Sequence, residues 1–175
     1  MADSTQTETI EKLNTYFKVF WICLVAGIPL CVILIGIPAI IASLVYALML
    51  HYQIWKLIPL DIARTTPSKA VGFQFIPIFN IYWEFVAYWG LAIDMNKTFR
   101  QRGIQYQVSE GMGLVYCILY LVSYPLCFFP LDSPIGLAGV VIGIFMMIIF
   151  ILFMKSVKDG AIVLLEQISP GRAAS

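Results

Sequence analysis

Apolar positions run through this chain in long blocks, with the charged residues collected between them. Between Lys18 and Lys56 lie 37 residues without Lys, Arg, Asp or Glu; 21 more separate Glu110 from Asp132, and 22 separate Asp132 from Lys155. A bilayer-spanning helix needs roughly 20 apolar residues. The first block is too long for one span: as a single helix it would reach about 55 Å at 1.5 Å per residue, against a hydrocarbon core of about 30 Å. Gly36-Ile37-Pro38 lies near its middle, and glycine followed closely by proline stops and restarts a helix. The pattern therefore predicts a helical hairpin, residues 17–35 and 38–57; one long kinked helix projecting into the cytoplasm is the alternative. A second hairpin is predicted from residues 111–129 and 135–154 around the turn Pro130-Leu-Asp-Ser-Pro134. Beyond it, Lys155, Val157, Lys158, Ile162, Leu165 and Glu166 continue as an amphipathic tail, ending near Ser169-Pro170-Gly171.

The segment before the first block is polar, with Asp3, Glu8 and Glu11, and lacks the basic region and small-residue cleavage site of a secretory signal. Thr5-x-x-Glu8 has capping-box spacing, and Ile10, Leu13, Phe17 and Trp21 recur at helical intervals. An amphipathic lead-in, retained in the mature protein, is expected to run into the first span.

Residues 70–96 resist a simple assignment. They are long enough to cross, but Pro77 and Asn80 interrupt them and Glu84 falls at their middle, where a charged residue costs at least about 2.5–3.5 kcal/mol. The basic residues discriminate. If the segment crosses, Lys12, Lys18, Lys56, Arg64 and Lys69 lie on one side and Lys97, Arg100, Arg102, Lys155, Lys158 and Arg172 on the other, five against six. If it dips in and returns, or lies along the interface, all eleven share one side. The expected fold is thus all-α: a polytopic membrane protein with four transmembrane helices in two hairpins, a central re-entrant or interfacial amphipathic segment, and both termini cytoplasmic. Its parts are the lead-in 1–16, hairpin 17–57, cytoplasmic-side linker and central segment 58–109, hairpin 110–155 and tail 156–175.

Read as a helix from Asn80, the central segment carries Asn80, Glu84, Ala87, Leu91, Asp94 and Thr98 on one arc, with Tyr88 at its edge. Tyr82, Phe85, Val86, Trp89 and Ile93 form the reverse arc. Two readings stand: an interfacial helix whose acids face water or pair with Lys69, Lys97 or Arg100, and a re-entrant element with Glu84 lining a polar cavity that binds a cation or headgroup. Irregular backbone at membrane depth is tolerated only where protein or water covers it. The candidate functional residues are Pro77, Asn80, Glu84, Tyr88 and Asp94.

Composition supports the membrane reading. The chain is 61% hydrophobic and 12% charged, with a mean hydropathy of +0.88; soluble domains are about 45–50% apolar and about 25% charged. Net charge is +1 with no dense basic stretch, so nucleic acid is excluded as a partner. Cys23, Cys31, Cys117 and Cys127 lie in apolar segments without a Cys-x-x-Cys pair and read as small core hydrophobes. His51 is the single histidine, which rules out a multi-histidine metal site or bis-histidine haem within one chain. No catalytic motif is present, and Glu84 and Asp94 are separated by about 15 Å of helix rise. A non-enzyme without cofactor is expected.

Gly136, Gly139 and Gly143 place small residues on one face of the last span, as do Ala39, Ser43 and Ala47 on the second and Gly113 and Cys117 on the third. Such spacing lets helices approach closely in lipid, within the chain or between copies. Pro29 and Pro125 are expected to kink their helices. Asn96-Lys97-Thr98 matches a glycosylation sequon but falls on the predicted cytoplasmic side.

The run Thr65-Thr66-Pro67-Ser68-Lys69-Ala70-Val71-Gly72-Phe73, with Phe75-Ile76-Pro77-Ile78-Phe79-Asn80-Ile81-Tyr82-Trp83, Phe85-Val86-Ala87 and Ser109-Glu110-Gly111-Met112-Gly113-Leu114-Val115-Tyr116-Cys117, resembles a group of small uncharacterised bacterial multi-pass proteins. The resemblance implies a bacterial inner-membrane location and carries no activity. The expected function is a non-catalytic assembly unit in the bilayer, as a homo-oligomer or an accessory subunit beside other membrane proteins. The alternative is a small oligomeric channel or transporter that uses the Pro77–Asn80 break and Glu84. Glu84 facing a central cavity favours transport; Glu84 facing the cytoplasm favours scaffolding.

Overall fold

The structure is a computed structural model and describes residues 2–30 and 36–168. Every regular element among them is helical. Helix α1 (Ala2–Leu30) runs from the polar lead-in into the apolar block without a break. Thr5 therefore lies inside the helix, where its carbonyl accepts from Thr9 Oγ1, and does not cap it. Helix α2 (Gly36–Leu57) packs antiparallel on α1. Tyr16 meets Tyr46 with centroids 5.9 Å apart, Ser43 Oγ donates to Phe20 O at 3.0 Å, and a Cβ on Gly27 would stand 3.0 Å from Ile40. The predicted antiparallel pairing is observed, and the single long helix is not. Gly36-Ile37-Pro38 forms the first turn of α2, where proline is tolerated, and the connection itself lies outside the described residues.

After α2 the chain crosses to α3 (Pro67–Gly72), opened by Thr66, whose Oγ1 accepts from Lys69 N at 3.4 Å, and by Pro67 in the first turn. A 3-10 turn (Phe73–Phe75) comes next, and the chain reverses at Ile76-Pro77-Ile78. Ile78 has φ +66°, a left-handed conformation that a β-branched residue adopts only under strain. From there α4 (Phe79–Glu84), a π-turn (Phe85–Trp89) and α5 (Gly90–Gln101) form one rod. Gly103, also at φ +66°, lets the chain leave α5. Both ends of this central segment meet α5: Arg64, before it, binds Asp94, and Val108, after it, binds Asn96. The segment goes out to Pro77 and comes back.

Helix α6 (Glu110–Leu126) starts at Ser109, whose Oγ accepts from Met112 N at 3.2 Å. Helix α7 (Pro134–Ile168) returns along it as a single rod of 35 residues. Tyr116 faces Phe150 at 4.7 Å, Gly113 lies under the Phe153 ring, and Gly139 lies against Leu126. A Cβ on Gly136 would collide with the Pro130 carbonyl, so the turn between the helices requires glycine there. Pro29 and Pro125 sit one residue before the ends of α1 and α6. Pro125 falls in the last turn of α6, where the bond it removes is terminal; the stretch after Pro29 and Leu30 lies outside the described residues.

Two zones result. At the charged end, Leu13, Ile54, Trp55, Leu91, Met95, Phe99, Val108, Phe153, Met154, Val157, Ala161 and Leu164 form a closed core. The expected amphipathic tail is part of it: Gly160 admits Val108, Met95 and Phe99, and Lys158 bonds Asn14 at 2.9 Å while lying over Phe17. The expected boundaries at 16/17 and 155/156 thus fall inside unbroken helices. At the other end large apolar side chains point outward, from Trp21 to Leu30, Ile37 to Tyr52, Val115 to Tyr124 and Ile135 to Leu152. Helices α2 and α7 are long and apolar enough to cross a membrane, with only 28% and 11% of their most apolar windows buried; α6 is apolar but shorter. A soluble core helix would be buried there. The four predicted crossings reduce on this measure to two, because the described part of α1 stops at Leu30 and α6 has 17 residues.

Candidate functional site

The rod from Phe79 to Gln101 is turned inside out relative to a water-facing amphipathic helix. Glu84, Ala87, Tyr88, Leu91, Asp94 and Thr98 are buried, while Tyr82 is 63% exposed and Phe85, Val86, Trp89 and Ile93 are partly exposed. The reading in which the acids face water is corrected: the polar arc points into the protein.

The arc also divides. The π-turn inserts one residue into the helical count, which rotates the remainder of the rod by roughly 100°, and Glu84 and Asp94 consequently serve different neighbours. Asp94 is a clamp at the charged end. Its carboxylate accepts from Arg64 N at 2.9 Å, Arg64 Nε at 3.0 Å and Arg64 Nη2 at 3.0 Å, with Lys97 at 3.6 Å. Of the expected partners Lys69, Lys97 and Arg100, Lys97 is present, and the stronger partner, Arg64, is not among them. Gly90 makes the approach possible, since a Cβ there would stand 2.7 Å from Arg64 Cδ. Asn96 is a second clamp: Nδ2 donates to Val108 O and Glu110 Oε1, and Oδ1 accepts from Val108 N. That buried side chain is committed to packing and is no acceptor for a glycan.

Asn80, Glu84 and Tyr88 instead line a cavity of about 500 Å³ bordered by α1, α2, the 3-10 turn, α4, the π-turn, α6 and α7. Glu84 is 5% exposed, and its Oε2 accepts from Tyr116 Oη at 3.2 Å. Asn80 Nδ2 donates to Tyr120 Oη at 2.9 Å, and its buried Oδ1 has no partner. Tyr88 Oη donates to Gln74 Oε1 at 3.4 Å. Tyr88, Tyr116 and Phe150 have centroids 4.7–5.4 Å apart, which holds the tyrosine hydroxyls at one wall. Leu24, Leu44, Phe75, Met146 and Met147 make the rest apolar. Around Glu84, α6 contributes Tyr116, Tyr120 and Cys117, whose Sγ donates to Glu84 O at 3.5 Å. No lysine or arginine lines the cavity among the described residues.

Behind this wall the π-turn is fastened to α2. Trp55 Nε1 donates to Ala87 O at 3.2 Å and to His51 Nε2 at 3.1 Å, and the His51 ring lies 4.4 Å from that of Tyr88. π-turns recur at functional sites, and this one aims Glu84 and Tyr88 into the same space.

Pro77 sits at the exposed reversal and does not touch Asp94's clamp or line the cavity. Of the small residues, Ala39 and Ser43 pack against α1, Gly139 against Leu126, and Ala47 is buried; only Gly143 has open space at its Cβ position. The site residues that the sequence pattern did not single out are Tyr116, Tyr120 and Gln74. Tyr116, Tyr120 and Tyr124 recur every fourth residue, a stripe that places phenols on one helix face. Among the described residues no three His, Cys, Asp or Glu side chains gather as a metal site. The chain matches no protein-family model, no curated protein and no solved structure.

Proposed function

We propose that this chain is a multi-pass protein of the bacterial inner membrane, with four crossings and a re-entrant central segment, both termini being cytoplasmic. Its activity is non-covalent: Glu84 holds a small solute in the cavity, as one unit of an oligomeric channel or transporter. A single observation supports this most, namely that Glu84 is turned into a cavity at the level of the outward apolar band. A carboxylate in such a place costs several kcal/mol, and neither charged clamp of the fold depends on it. Buried ionisable groups at membrane depth mark solute and ion pathways.

The basic residues fit the orientation. Lys12, Lys56, Arg64, Lys97, Arg100, Lys155 and Lys158 belong to the elements of the charged end, as positive-inside bias requires. The assembly reading rests on Gly143, where the small-residue face of α7 has open space; a chain that stays monomeric in mild detergent and brings no other subunit speaks against it.

Dicyclohexylcarbodiimide, a lipid-soluble reagent that adds to protonated carboxyls, tests the reading in membranes at pH 6. One adduct is expected, mapping to Glu84 by mass spectrometry and absent from Glu84→Gln. No adduct, or adducts spread over the acids of the charged end, would overturn the proposal.

A further inference from the structure

We propose that the cavity at Glu84 takes a hydrophobic organic cation, which enters sideways from the lipid between Leu44 of α2 and Phe75 of the 3-10 turn. The inference rests on the binding role of Glu84 and adds the ligand's chemistry and its route. Leu44 and Phe75 are the lining residues most open to the outside, 54% and 64% exposed. Both lie in the outward apolar band, so the proposed entry between them faces hydrocarbon and not water. A solute using it must dissolve in lipid.

The sign of its charge is set by the lining. Glu84 is the one formal charge among the lining residues described, and no cationic side chain is present to neutralise it. A buried carboxyl either keeps its proton or, once ionised, is best compensated by an opposite charge at close range. An anionic or zwitterionic headgroup is disfavoured, because its phosphate would find no basic partner. Inorganic divalent ions are disfavoured too. They require about six oxygen ligands, and this wall offers one carboxylate, Asn80 Oδ1 and phenols already bonded to Asn80, Gln74 and Glu84. An organic cation needs less: a counter-charge, aromatic faces for cation–π attraction, and an apolar sleeve. Glu84, the rings of Tyr88, Tyr116 and Phe150, and Leu24, Met146 and Met147 supply these in turn.

Tetraphenylphosphonium and tetraphenylborate, ions of the same shape and opposite charge, separate the possibilities. The full chain in phosphatidylcholine nanodiscs should bind labelled tetraphenylphosphonium saturably above empty nanodiscs, and tetraphenylborate should not displace it. Glu84→Gln should weaken binding at least tenfold, about 1.4 kcal/mol. Phe75→Trp, which narrows the proposed entry and leaves the carboxylate in place, should slow association. Equal displacement by tetraphenylborate, which needs no variant, or unchanged binding in Glu84→Gln would overturn the inference. In the same nanodiscs, tetraphenylphosphonium should protect Glu84 from the carbodiimide. Addition without protection defeats the cation assignment and leaves Glu84 as a cavity-facing carboxyl. Absence of addition defeats both.

Discussion

Two carboxylates on one rod have opposite fates, and their partners explain why. Asp94 is satisfied by a forked guanidinium and a backbone N–H of Arg64, whereas Glu84's carboxylate accepts from the Tyr116 phenol. Removing one member of a buried pair costs about 3–5 kcal/mol. Because the Arg64 side chain is 32% exposed, Asp94→Asn should lose less, about 2–3 kcal/mol on that scale. Glu84→Gln should stay within about 1 kcal/mol of the parent, since the amide keeps an acceptor for Tyr116. Thermal unfolding in detergent reads both; a larger loss in Glu84→Gln than in Asp94→Asn would make Glu84 a structural residue. The anomaly of Glu84 was legible in the sequence, as a lone charge in an apolar run. The partner of Asp94 was not, because nothing in a linear pattern links residues thirty positions apart.

Among the elements, the central segment shows what periodicity captures and what it misses. The interruption at Pro77 and the two-faced helix after it were both legible. Which face turns inward was not, since an amphipathic pattern reads the same in water and, inverted, in lipid. The π-turn was also invisible, and it separates Glu84 from Asp94 where a regular helix would keep them on one arc about 80° wide. The continuous α1 and α7 share a cause: their polar stretches keep helical spacing and pack on each other at the charged end, so no break arises where hydropathy changes. The reversal itself carries strain at Ile78, whose side chain is 79% exposed and packs little. Ile78→Gly should therefore raise stability by about 1 kcal/mol, the cost of a left-handed conformation in a residue with a Cβ. A lowered melting temperature would mean that the exposed Ile78 side chain contributes more in lipid than its backbone costs.

The whole molecule divides into two ends. Its closed core occupies the end where the lysines and arginines sit, and its apolar surface lies on the hairpins beyond, with the tip of the central segment among them: Phe75, Ile76, Ile78 and Tyr82 all point outward. A patch of that extent on a soluble protein would drive association; in a bilayer it is ordinary surface. The proposed arrangement turns on one point, that the segment carrying Glu84 enters the membrane and returns. Accessibility of single cysteines in a cysteine-free background decides it, with Lys69→Cys, Tyr82→Cys, Arg100→Cys and Asp132→Cys challenged by a membrane-impermeant maleimide. Lys69→Cys and Arg100→Cys should label from the cytoplasmic side alone, Asp132→Cys from the opposite side alone, and Tyr82→Cys from neither while reacting with a lipid-soluble maleimide. Labelling of Tyr82→Cys alongside Arg100→Cys, or of Lys69→Cys and Arg100→Cys from opposite sides, would contradict it.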